Sequence, residues 1–298
     1  MPVRLAGLAC GGGASIMGEK LWSSMQAGTE APLDKATQMR VSPPRRCVAT
    51  GSPAREAGEG AGHPRDPTCV PLSRIQRLIA ERMLAAKHSK PCFYLALRAD
   101  VTELMAMRHD LSKALGVKVT SNAFFIHALA LAAREYPRMV GRLVHLEPQD
   151  SLPTEVIRIA DHINVGFAVN SPQGLVVPVI QGAETQTLAE IAAQEKRLTD
   201  KARSNKLTLD DIEGMTVALS NLGAFDIDSF LGIVPPPASA ILTAGKVVQT
   251  PVPWNGHVIV RKMVSLSLAV DHRIVDGVYA ARFLQSLTQQ LEDPQRLV

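Results

Sequence analysis

The sequence predicts an α+β fold, a mixed sheet with packed helices, and three observations predict it. Strand-like runs at residues 93–101, 163–169 and 263–270 are interspersed with stretches of helical period at 102–115, 121–135 and 187–204. The two kinds do not follow the strict strand–helix–strand alternation of a parallel α/β fold. Hydrophobic residues make up 46% of the chain but aromatics only 4%, so the core is expected to rest on Leu, Ile, Val, Ala and Met.

The folded part is expected to begin near residue 70. Residues 1–69 are rich in Gly, Pro and small polar residues, as in Cys10-Gly-Gly-Gly-Ala and Val41-Ser-Pro-Pro-Arg-Arg. Such a stretch buries too little apolar area to offset its ordering entropy and reads as a tail and linker. From Val70 the pattern changes. Ser73 stands as N-cap before Ile75, Leu78, Ile79, Met83 and Leu84, one apolar stripe of helical spacing. Residues 93–101 read as a strand, and 102–115 as a helix closed by Gly116. Residues 121–135 form an alanine-rich apolar helix ended by Pro137. The stretch 143–154 reads as a surface loop. Residues 163–169 and 175–180 read as two strands joined by the turn Asn170-Ser-Pro-Gln-Gly, and Pro178 places the second at an edge or in irregular pairing. A polar-faced helix (187–204) and a short helical turn (208–213) follow. The strand 216–220 then runs into the turn Asn221-Leu-Gly. Strands at 238–245 and 263–270 and a terminal helix at 275–292 complete the domain.

Bulk properties exclude several classes. The formal net charge is +4 and no basic run is interleaved with aromatics, so no nucleic-acid partner is expected. The four cysteines, Cys10, Cys47, Cys69 and Cys92, include no C-x-x-C pair, which argues against a zinc site or a disulfide framework and for a reducing compartment. No apolar run is long enough to span a membrane. The first 18 residues carry one Arg and no acid, and read as an untargeted tail rather than a transit peptide. A cytoplasmic location is expected, or the mitochondrial matrix in a eukaryote.

The sharpest motif is Asp271-His272-Arg273-Ile274-Val275-Asp276-Gly277, between a strand and the last helix. A His at a strand end projects into a cleft from a fixed backbone. Asp276, four residues on, is placed to fix the loop or the ring, and Gly277 permits a tight turn at the helix start. A lone Asp-His-Arg reads as a structural histidine with a capping acid; the whole arrangement is far more specific.

This segment resembles the D-H-R-x-x-D-G signature of the dihydrolipoamide acyltransferases, the core components of 2-oxoacid dehydrogenase complexes. Four further blocks resemble the same family in the same order: 71–83, then 164–180, then Leu219-Ser-Asn-Leu-Gly-Ala-Phe, then Pro235-Pro-Pro-Ala-Ser-Ala-Ile-Leu. The resemblance spans residues 70–298 and implies a chloramphenicol-acetyltransferase-like two-layer sandwich. It implies acyl transfer between coenzyme A and a dihydrolipoyl thiol, with coenzyme A or acyl-CoA as substrate and acetyl as the expected group. His272 is then the general base that makes a thiolate, since a free thiol is mostly protonated at neutral pH. Ser220 donates to the tetrahedral oxyanion, a contribution of about 3 kcal/mol to the barrier. On its own, Ser220 reads as a turn residue. Asp276 orients the site. Arg108, on the helix after the first strand, is the candidate partner for a coenzyme A phosphate. No metal is implied.

The resemblance also implies a homotrimer with each active site between neighbouring subunits, trimers building a larger core, and dehydrogenase-complex subunits as partners. Leu33-Asp34-Lys35-Ala36 resembles a lipoylated turn, but the flanking strands of a lipoyl domain are missing. Residues 1–69 therefore read as at most a degenerate remnant of lipoyl and subunit-binding regions, with the lipoyl group supplied in trans. The chain departs from the family at Gln76, where an Arg that pairs with the signature Asp is common, leaving Arg74 or Arg77 to substitute. It departs also at Cys92 and Val140. Two rival readings stand beside this one: a non-catalytic structural subunit of the same core, and an acyltransferase on a non-lipoyl acceptor. A hydrolase lacks its G-x-S-x-G elbow.

Overall fold

The computed structural model describes residues 70–146, 154–172 and 174–298. The expected tail, Lys35 and three of the four cysteines lie outside the described residues. The elements in chain order are α1 (Arg74–Ser89), β1 (Cys92–Asp100), α2 (Thr102–Ala114), α3 (Ser121–Glu135), β2 (Gly141–His145), β3 (Glu155–Ile159), β4 (Val165–Phe167), β5 (Val169–Ser171), β6 (Gly174–Val176), β7 (Val179–Ile180), α4 (Leu188–Arg203), β8 (Val217–Asn221), β9 (Ala240–Trp254), β10 (His257–Asp271) and α5 (Gly277–Glu292). Six strands form a mixed sheet in the order β1-β10-β9-β8-β4-β7, with β8 parallel to both β4 and β9 and the other pairs antiparallel.

Helices cover one face of this sheet, giving the two layers of an α+β fold. α3 is central. From Ala123 to Ala133 it is buried on almost every side, because its alanines let α4 and α5 approach closely. Phe124, Phe125, Ile126 and Leu129 join Val217, Leu219, Leu242, Leu266 and Leu268 of the sheet in one core. Alternate residues face the other way: Ala218, Ile241 and Ala269 pack with Met215, Val234 and Ala238 in a smaller cluster. Thr120 caps α3 by accepting from Ala123 N–H, and Thr187 and Glu190 form a capping box on α4.

Three expectations need correction. The run 163–169 is not one strand. It breaks at Ala168 into β4 and β5, and 175–180 breaks likewise into β6 and β7, so the pair forms a bent hairpin. The stretch 143–154 is not all loop, since β2 and β3 pair in antiparallel register from Gly141↔Ile159 to His145↔Glu155. β9 and β10 run on as a long hairpin to the Asn255-Gly256 turn, where both residues have positive φ. α1 starts as expected at Ser73, with Gln76 completing a capping box. Its Leu78, Ile79 and Leu84 are exposed, however, while Met83 is half-buried and Ala86 buried.

The segment after α4 is held by Asp211. Lys201 Nζ donates to both carboxylate oxygens at 3.0 and 2.8 Å, and Thr208 donates its N–H and its hydroxyl, each at 2.9 Å. Burial works to raise this carboxyl's pKa, but the donors from Lys201 and Thr208 prevail and hold it at about 2. Its folded pKa lies below the ordinary 3.8, so its contribution is present above that pH and lost as pH falls toward 2. Asp211→Asn is expected to lower stability by about 2 kcal/mol at pH 7 and to lose less on acidification than the parent. Thermal unfolding at pH 7 and pH 3 measures both, and identical midpoints at pH 7 would refute the role.

Candidate active site

His272 sits at the end of β10, immediately beyond its last paired residue, Asp271. Its backbone N–H donates to Pro91 carbonyl at 3.0 Å, and its ring meets Phe93 edge-on at 5.3 Å between centroids. The imidazole is exposed while its backbone is fixed from both sides.

The fixing residue is Asp271, which is 1% exposed. Its carboxylate takes a bidentate pair from Arg273, Nε at 3.0 Å and Nη2 at 2.7 Å, and also accepts from Arg273 N–H. Its carbonyl accepts from the N–H groups of Ile274 and Val275, and its own N–H reaches Ser239 carbonyl. Arg138 closes the loop from outside by donating to Ile274 carbonyl at 2.7 Å. The ionic partner of the signature Asp is thus Arg273 from the same motif, not Arg74 or Arg77, and Gln76 serves as a helix cap. Arg273→Ala leaves a buried carboxylate unpaired and is expected to cost about 3 kcal/mol. Chemical denaturation measures it; a loss below about 0.5 kcal/mol would show the pair to be a surface contact only.

Asp276 is the N-cap of α5. Its carboxylate accepts from Tyr279 N–H at 2.9 Å, and this bond, with Val278 N–H, Arg138 and His272, keeps its pKa below the usual value against a smaller effect of burial. Asp276 therefore fixes the turn that follows His272.

Ser220 lies on β8, on the face turned away from the helices. It does not meet His272 within the chain. Ser220 pairs with Thr243, Thr243 pairs with Ser267, and His272 stands five residues beyond Ser267, on the order of 16 Å along the strand. His272 also packs on Phe93, which joins the helical side of the sheet. The turn after Ser220 is tightly built. Asn221 Oδ1 accepts from Gly223 N–H at 2.8 Å, and a Cβ on Gly223 would lie 2.6 Å from Gly245 carbonyl oxygen. Gly245 in turn admits no side chain, since its Cβ would fall 1.9 Å from Asp228 carbonyl oxygen.

Arg108 lines a cleft of about 680 Å³ beside this turn, on the helical side. His109 and Lys118 share the cleft, and Ser121, Asn122, Asn221 and Glu195 line it too. The sequence singled out Arg108 among these residues but not Lys118 or Glu195; neither belongs to a motif, and only the packing of α2, α3 and α4 brings them together. Among the described residues no cluster of three or more His, Cys, Asp or Glu is arranged to hold a metal, and no helix is long and apolar enough to cross a membrane.

Comparison with known proteins places this arrangement in a family. Residues 64–298 match the model of the 2-oxoacid dehydrogenases acyltransferase catalytic domain. The dihydrolipoyllysine-residue acetyltransferase component of the pyruvate dehydrogenase complex of Rickettsia bellii is 31% identical over 78% of this chain and 54% of its own length. The lipoamide acyltransferase component of the branched-chain α-keto acid dehydrogenase complex of Pseudomonas aeruginosa is 34% identical over 83% of this chain and 57% of its own. The solved dihydrolipoamide acetyltransferase of Azotobacter vinelandii superposes with a TM-score of 0.70 at 31% identity, covering 83% of this chain and 99% of that one. In that enzyme a serine, a histidine and an asparagine were investigated for their catalytic roles. Their spacings equal those of Ser220, His272 and Asp276, with Asp here in place of Asn. The chain belongs to the family of 2-oxoacid dehydrogenase acyltransferase catalytic domains, in agreement with its sequence signature and its α+β fold. It spans about half the length of the relatives it matches.

Proposed function

We propose that this chain transfers an acyl group, acetyl foremost, between coenzyme A and a dihydrolipoyl thiol, with residues 70–298 as the catalytic domain. The observation that carries the reading is His272, exposed at a strand end whose backbone is locked by the Asp271–Arg273 pair and by Pro91. In this reading the neutral imidazole takes the proton from the attacking thiol. The thiolate adds to the thioester carbonyl, and Ser220 donates its hydroxyl to the oxyanion. Collapse expels the other thiolate, which recovers the proton from His272. Asp276, as cap of α5, holds the turn behind the histidine. Arg108 and Lys118, which line the cleft beside the Ser220 turn, supply cations for the phosphates of coenzyme A.

The separation of Ser220 from His272 favours a site shared between copies, His272 of one subunit facing Ser220 of the next in a trimer. The exposed Leu78, Ile79 and Leu84 of α1 support a subunit contact as well. Family membership supports larger assembly of the trimers and partnership with dehydrogenase subunits, and the proposal takes the lipoyl arm from another protein. Acetyl is preferred because the block Leu219-Ser-Asn-Leu-Gly-Ala-Phe resembles pyruvate-type members.

Transfer from acetyl-CoA to free dihydrolipoamide tests the activity, with isobutyryl-CoA and succinyl-CoA as competing donors. The highest kcat/KM is expected with acetyl-CoA. A preference for another donor would reassign the acyl group, and no transfer from any donor by an assembled protein would favour a structural core subunit.

A further inference from the structure

Glu195 is a carboxylate where none is expected. It lies on the core side of α4, only 6% exposed, beneath the cleft beside Ser220. Burying a carboxylate is costly unless hydrogen bonds repay it, and the chemistry proposed above makes no use of it. Its partners lead in one direction. Thr120 donates its hydroxyl to Glu195 Oε2, and Asn122, which lines the same cleft, favours the charged form of the carboxylate. Asn122 Oδ1 accepts from Asn221 Nδ2 at 2.8 Å, and Asn221 Oδ1 accepts from Gly223 N–H at 2.8 Å. Asn221 is the residue next to Ser220.

We propose that Glu195 is a positioning residue for Ser220, acting through Asn122 and Asn221 to set the turn that presents the serine hydroxyl. The role rests on the acyl-transfer reading above.

The direction of the chain explains why its root is an acid. Gly223 N–H can only donate, so Asn221 must turn its oxygen toward it and its amide N–H₂ away. Asn122 then faces that N–H₂ with its own oxygen, which leaves its N–H₂ for the carboxylate of Glu195. The series ends properly only on a group that accepts and does not donate, which an ionised carboxylate is and an amide or hydroxyl is not. A flip of either asparagine would set donor against donor or oxygen against oxygen. Glu195 therefore fixes the sense of both amides. Burial, the dominant influence, raises the pKa of this carboxyl, while Thr120, Asn122 and Lys118 oppose it. The hydrogen bonds that the chain requires are thus the ones that favour the ionised form against burial. The glycines at 223 and 245 leave the turn no slack, so loss of the anchor is passed to Ser220 rather than absorbed.

The test is a double-mutant cycle on acetyl transfer to dihydrolipoamide, read as kcat and KM separately. Glu195→Ala is expected to lower kcat by about 10- to 100-fold, the scale of a small misplacement of a reacting group, with little change in the KM for acetyl-CoA. In a Ser220→Ala background the same substitution is expected to change kcat by less than about twofold, because the group it positions is gone. An equal loss in both backgrounds would overturn the role, since a general weakening of the fold does not depend on Ser220. Should Glu195→Ala fail to assemble, Asn122→Ala cuts the same chain one link later and is read by the same criterion. Wild-type protein that transfers normally, with Glu195→Ala unchanged, overturns this role alone. Wild-type protein that transfers nothing overturns the acyl-transfer reading and this role with it.

Discussion

Replacing His272 by alanine is expected to lower kcat for acetyl transfer by about 10³-fold, within the range that a positioned general base contributes. The size follows from the nucleophile. In the proposed reaction both acceptors are thiols, mostly protonated at neutral pH, and the thiolate is the form that attacks. Without a base at the site, the reaction depends on the small thiolate fraction already in solution. The change should leave the protein folded. His272 is held through its backbone N–H, which alanine keeps, and the side chain gives up only its edge contact with Phe93, about 0.5–1 kcal/mol. Asp271, Arg273 and Asp276 keep every hydrogen bond described above. Steady-state kinetics with acetyl-CoA and dihydrolipoamide, beside size-exclusion of both proteins, decide the matter. A loss under tenfold with the assembly intact would remove His272 from the role of base.

The sequence made the histidine legible because its information is local. A run of alternating apolar residues from Val264 to Val270 announces a strand, and the motif follows it without a gap. Helix α3 was legible for a similar reason, with Thr120 before it, Pro137 after it and alanines throughout. What stayed hidden depends on contacts between distant segments. The long β9–β10 hairpin was read only as strands 238–245 and 263–270, and its outer part carries Pro251 and Pro253, residues uncommon inside a sheet. Beyond Ala244, β9 pairs with β10 alone, so a missing proline N–H on its open side breaks no ladder there. Gly245 is required by the close passage of Asp228, some seventeen residues upstream and invisible to any periodicity. The β2–β3 hairpin was missed because each strand is only 5 residues long and a polar connection separates them. Asp271 presented the opposite case. Its partner was in plain view two residues away, yet family habit pointed to α1. Strand alternation explains the outcome, since Arg273 lies beyond the end of β10, where the chain can turn back and lay its guanidinium along the carboxylate.

Ser220→Ala is expected to lower kcat by about 10²- to 10³-fold, the loss seen when one oxyanion donor is removed, with KM for acetyl-CoA little changed because the donor acts on charge that develops only in the transition state. The stronger test uses geometry. Ser220 and His272 stand at different levels and on different faces of one sheet, so neither can serve the other within a chain. If each site takes His272 from one subunit and Ser220 from its neighbour, two inactive variants should repair one another. Mixing unfolded His272→Ala and Ser220→Ala chains in equal amounts and refolding them together should return about a quarter of wild-type activity, because random assembly of a cyclic oligomer places an intact histidine beside an intact serine at about one site in four. Mixing the two variants after assembly should return almost none until subunits exchange. An active wild-type preparation that is strictly monomeric would contradict the arrangement at once, as would co-refolded mixtures no more active than their parents. A quarter recovered would mean that the catalytic unit is not this chain but the seam between two copies of it.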